Sequence, residues 1–170
     1  MSATTKVIAT AVNGLEYARF GGLQVDVQSS PYEVVAQEPV YRLRHYYAAA
    51  AGEREPMLLV PPLMMTADVW DVAPHTSAVS LLHAHGIDPW VVDFGDPAHE
   101  PGGSRRDVTD HVLAVSDAID RVRAATGRDP HIGGYSQGGL FCYQATAYRG
   151  SDGVASIVAI FAADYVTTTL

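Results

Sequence analysis

The sequence predicts an α/β fold, a mostly parallel sheet with helices on both faces, and three observations predict it. Short runs of consecutive apolar residues recur along the chain, segments with helical periodicity lie between them, and the two kinds alternate. A run that is apolar throughout is what a strand buried on both faces requires. Strand alternating with helix is the rhythm of βαβ units, whose parallel strands need a crossover between them.

Taken in order, residues 1–30 read as an amphipathic N-terminal leader: Val7, Ile8, Ala11, Val12, Leu15 and Ala18 recur at roughly helical spacing before Gly21-Gly22. Pro31 to Tyr47 alternates as one or two edge strands, interrupted at Pro39. Met57 to Val60 is the first continuous apolar run, stopped by Pro61-Pro62. Ser77 to His85 then reads as helix, and Trp90 to Val92 as the second run. Asp107 to Thr126 carries Val108, Val112, Val115, Ile119 and Val122 at three- and four-residue spacing, which predicts a long amphipathic helix. A short strand at Ile132, a helical pattern from Leu140 to Tyr148 and a third apolar run from Ser156 to Ile160 complete the alternation.

Composition excludes several functions. Of 170 residues, 48% are hydrophobic and 18% charged, as in an ordinary globular domain. The net charge is −8 and there is a single lysine, Lys6, so nucleic acid, whose phosphates require a basic face, is not an expected partner. No apolar stretch reaches the roughly 18 residues of a membrane span. One cysteine, Cys142, permits no internal disulfide, and no signal-peptide pattern opens the chain, so the cytoplasm is the expected location. His83 and His85 stand two apart and share no helix face, and no Cys/His spacing resembles a metal site, so neither metal nor cofactor-binding residues are expected.

The chemistry lies in Gly134-Tyr135-Ser136-Gln137-Gly138, a G-x-S-x-G motif between a strand and a helix pattern. A chance match has an expectation of about 0.1 in such a chain, so its position carries the inference. A turn this sharp holds the serine in a strained conformation and needs small residues two before and two after it, here Gly134 and Gly138. It also sets Ser136 at a helix N-terminus, where the amide of Gln137 faces a developing oxyanion. The plainer reading is a glycine-rich turn feeding a helix; the βαβα run ahead of the motif favours the nucleophile.

Met57 to Met64, Asp88 to Gly95 and Gly134 to Gly139, in that order and spacing, resemble the α/β-hydrolase domain of polyhydroxyalkanoate synthases and their relatives. The resemblance is strongest to the synthase-like domain at the front of some actinobacterial fatty-acyl-CoA ligase proteins. It implies a partial α/β-hydrolase fold over residues 31–170, missing the last strands. It also implies acyl handling through Ser136, as ester or thioester hydrolysis or acyl transfer, with an acyl ester or acyl-CoA as substrate. Polymerising synthases carry cysteine at the nucleophile position, so the serine here shifts the expectation away from polymer synthesis. The resemblance further implies a second oxyanion amide at Met64, with Leu63 as the neighbouring register. Asp93 matches a strand-end aspartate of the family, and its expected role is to tie down its own turn.

A serine needs a base and the base needs an orienting acid, in chain order Ser, Asp or Glu, His. After Ser136 come Asp152 and Asp164 and no histidine. His131, just before the motif, is expected at the far end of its strand. The expectation is therefore a C-terminally truncated, inactive piece of an acyl-handling enzyme. The other class is a non-catalytic fragment or binding module derived from such a protein. Ending the sheet after Ser156 to Ile160 leaves an edge without its next strand, which predicts self-association there.

Overall fold

The computed structural model describes residues 29–50, 53–63, 65–73 and 75–160. The expected leader thus lies, apart from Ser29 and Ser30, outside the described residues. Six strands form one sheet: β1 (Tyr32–Gln37), β2 (Arg42–Tyr46), β3 (Glu55–Val60), β4 (Ile87–Asp93), β5 (His131–Tyr135) and β6 (Ser156–Ile160), in spatial order β1-β2-β4-β3-β5-β6. β1, β2 and β4 pair antiparallel in succession, whereas β4, β3, β5 and β6 run parallel. The three apolar runs lie within β3, β4 and β6, and the two edge strands expected from Pro31 to Tyr47 are the β1–β2 hairpin.

Three α-helices connect the parallel strands: α1 (Ala78–Ala84), α2 (Val108–Thr126) and α3 (Gln137–Tyr148). Ser77 caps α1 by accepting the Ser80 amide at 3.0 Å. Asp107 and Asp110 cap α2 reciprocally, each carboxylate accepting the other's backbone amide, and Gly127 ends it at φ 70°. α3 begins three residues before the periodic pattern expected from Leu140. Gln137, Gly138 and Gly139 carry no apolar periodicity, and the tight turn at Ser136, not the pattern, starts that helix.

Both faces of the central strands are buried. Leu58, Val60, Trp90, Val92 and Ile132 face a core built with Val115, Ile119 and Val122 of α2 and Phe141 and Cys142 of α3. Leu59 and Val91 face the opposite core with Trp70 and Val79. Pro89 lies inside β4 at no cost to the β2 ladder, because that ladder ends at His45↔Trp90, one residue later. Entry into β1 is pinned by Ser30, whose amide and hydroxyl donate to the Asp71 carboxylate at 2.6 and 2.9 Å. Among the described residues no helix is long and apolar enough to cross a membrane.

Candidate functional site

Ser136 stands between the end of β5 and the first turn of α3, with φ 53° and ψ −121°. A side chain at positive φ is strained, and here the flanking strand and helix impose it. The Ser136 amide donates to the Ile160 carbonyl at 2.8 Å, tying the turn to the end of β6, and the Ser136 carbonyl accepts from the Gly139 amide at 3.0 Å. The side-chain hydroxyl makes no cap bond.

Gly134 and Gly138 are sterically required. A Cβ on Gly134 would lie 2.3 Å from the backbone of Gly138 and Gly139, and one on Gly138 would lie 2.1 Å from the Val60 carbonyl oxygen. The start of α3 therefore presses against the ends of both β5 and β3. Only hydrogen fits at the two contacts.

Gln137 is the first residue of α3, and its amide is one of those a helix leaves without an intrahelical acceptor. Its side-chain oxygen accepts the Leu63 amide at 3.3 Å, across from the loop after β3. Of the two registers considered for a second oxyanion amide, Leu63 is thus committed to Gln137. Met64 lies outside the described residues.

Asp93, at the same end of the sheet, is a structural carboxylate. It is 2% exposed and accepts from Arg44 at 2.6 Å, from Arg42 at 3.2 Å and from the Gly95 amide at 2.9 Å. Burial pushes its pKa up, but the two guanidiniums, Arg44 first, and the Gly95 amide outweigh burial and hold it below the usual carboxylate range. Arg44 also reaches Asp68 and Arg42 reaches Glu100, so the carboxylate anchors the loops on both sides of the strand end.

The histidines divide by position. His131 opens β5, bonds through Nδ1 to the Ser156 hydroxyl at 2.7 Å, and lies about 13 Å or more from Ser136 at strand rise. His111 had no assigned role in the sequence. It sits in the first turn of α2, buried, its ring stacked 5.6 Å from Phe141 of α3 and edge-on to Phe94. Its Nδ1 donates to the Asp107 carbonyl at 2.5 Å, and its Nε2 is buried without a partner. The one signal for it in the sequence is its phase with Val115 and Val122 on the buried stripe. Among the described residues no histidine is hydrogen-bonded to Ser136, and no group of three or more His, Cys, Asp or Glu is placed to hold a metal ion. Cys142 faces the core, where burial raises its thiol to about 12, leaving it an inert apolar side chain.

No family model matches the chain. It is 30% identical over 119 residues to the poly(3-hydroxyalkanoate) polymerase subunit PhaC of Haloferax mediterranei, covering 68% of this chain and 24% of that protein. It is 33% identical over 133 residues to the PhaC subunit of Haloarcula marismortui, covering 72% of this chain and 28% of that protein. The chain thus spans about a quarter of the length of these relatives. Among solved structures, a CIB-like hydrolase of Thermoplasma acidophilum superposes with TM-score 0.53 at 20% identity, over 76% of this chain and 61% of that one. A membrane phospholipase A described as a bacterial virulence factor gives 0.54 at 19% identity, over 92% and 46%. An α/β-hydrolase fold protein of unknown function gives 0.56 at 13%, over 81% and 45%. The chain has an α/β-hydrolase fold, and in sequence it is similar to poly(3-hydroxyalkanoate) polymerase subunits.

Proposed function

We propose that Ser136 is the nucleophile of an acyl-handling domain acting on an ester or thioester. The observation that carries this is the strained serine at the N-terminus of α3, held where Gly134 and Gly138 admit no side chain. Its Oγ attacks the acyl carbon, the leaving alcohol or thiol departs, and the oxyanion formed on the way is met by the Gln137 amide and, in this reading, by that of Met64. Serine rather than cysteine at this position favours hydrolysis or acyl transfer over polymerisation. The similarity to subunits named as poly(3-hydroxyalkanoate) polymerases supports an acyl substrate, and this reading takes an acyl ester or acyl-CoA as the donor.

Such chemistry also needs a base and an orienting acid. The described residues place no histidine on Ser136, and no histidine follows it in these 170 residues. On their own, therefore, they should give no turnover of p-nitrophenyl esters or acyl-CoA above a Ser136→Ala control. A Ser136-dependent rate breaking near pH 6–7, where an imidazole titrates, would overturn that. The nucleophile is tested separately by incubating the chain with p-nitrophenyl butyrate and imidazole as external base. Intact mass should then show one butyryl group, mapped to Ser136 and absent from Ser136→Ala; labelling elsewhere refutes the assignment.

A further inference from the structure

A cleft of about 820 Å³ opens at the end of the sheet opposite Ser136, between the β1–β2 hairpin and the C-terminal half of α2. Its volume lies in the range of small-molecule sites. The walls are apolar where Val35, Ala36 and Ala124 meet it, and its floor is polar and fixed. His45 stacks on Trp90 at 3.7 Å with the rings 8° from parallel. The buried Asp88 carboxylate accepts from Trp90 Nε1 and from His45 Nε2, each at 2.8 Å. A carboxylate only accepts, so Nε2 carries a proton, and in the Nε2-H tautomer Nδ1 is an acceptor. His45 lines the cleft, and among the described residues Nδ1 has no hydrogen-bond partner.

The charges at the mouth are unequal. Arg121 is matched by Glu38 and Asp117, and Arg128 by Glu55. Glu53 is exposed, where water screens it. Arg54 is half-buried and donates to the His83 carbonyl and toward the His83 ring, and no carboxylate among the described residues lies within ion-pair distance of it. A guanidinium bonded only to neutral groups keeps its charge available for an incoming oxyanion.

We infer that this cleft is a second ligand site, separate from Ser136, for a single-chain amphiphile with an oxyanionic head: hydrocarbon against Val35, Ala36 and Ala124, head on Arg54, and any hydroxyl on the chain donating to His45 Nδ1. The inference does not depend on Ser136 being a nucleophile. Octanoate and octyl phosphate, titrated calorimetrically into the full chain, distinguish a carboxylate from a phosphate head, and octanol serves as the headless control. At least one of the two anions should bind saturably and about tenfold or more tighter than octanol. Arg54→Gln should abolish that preference and Arg54→Lys largely keep it. Ala124→Trp, which fills the cleft from the helix surface, should remove binding, and Ser136→Ala should leave it unchanged. The inference is overturned if neither anion binds, if octanol binds as well, if Arg54→Gln and Ala124→Trp bind like the parent, or if Ser136→Ala weakens binding.

Discussion

At the residue scale, a few positions are set by contact distances that no side chain can meet. Gly134 faces backbone, which cannot swing aside as the end of a flexible side chain can. Gly134→Ala should therefore destabilise the domain toward or beyond the upper end of the roughly 1–3 kcal/mol that overpacking costs, read as a fall in urea midpoint. Leu140→Ala, on the exposed side of α3, should move the midpoint far less. Comparable losses in the two variants would show that the turn relaxes around the added methyl group. His111 illustrates another residue-scale outcome, in which burial makes a polar ring part of the core although one of its nitrogens finds no partner.

At the element scale, the end of β4 is held by charge as well as by packing. Asp93 joins β2, through Arg42 and Arg44, to its own turn at Gly95, and its depressed pKa makes the junction sensitive to acid. A carboxylate whose folded pKa lies below the unfolded value contributes stability that is present above the unfolded value, about 3.9, and is lost as pH falls through the folded one. Stability should therefore decline below about pH 4. Asp93→Asn, which leaves Arg44 with Asp68 and Arg42 with Glu100, should cost about 1–3 kcal/mol at pH 7 and show a shallower further decline in acid. Equal acid sensitivity in the two proteins, read from urea midpoints at pH 7 and 3.5, would assign the loss to other carboxylates.

For the whole molecule, the two outer strands of the described sheet differ in how they resist pairing with another chain. β1 is exposed but interrupted by a register shift between Val34 and Ala36 and carries Glu33, both of which disfavour strand addition. β6 pairs in regular register with β5, and on one face it exposes Val158 at 45% and Ile160 at 38%. The 170-residue chain should accordingly associate as its concentration rises, and Val158→Lys should shift it toward monomer in light scattering. A monomer across the concentration range would mean that this edge is covered in solution.

What the sequence determined by itself was the alternation of elements, because burial on both faces writes an uninterrupted apolar run and burial on one helix face writes a 3.6-residue stripe, both local patterns. The same holds for Ser136 and its two glycines, whose spacing follows from the tightness of one turn. The tertiary structure alone decided the order β1-β2-β4-β3-β5-β6, the commitment of the Leu63 amide to Gln137, the burial of His111 against Phe141, and the meeting of His45, Asp88 and Trp90 under the cleft. Each joins residues from different elements, and pairing across a sheet or between helices depends on register and packing that no local spacing records.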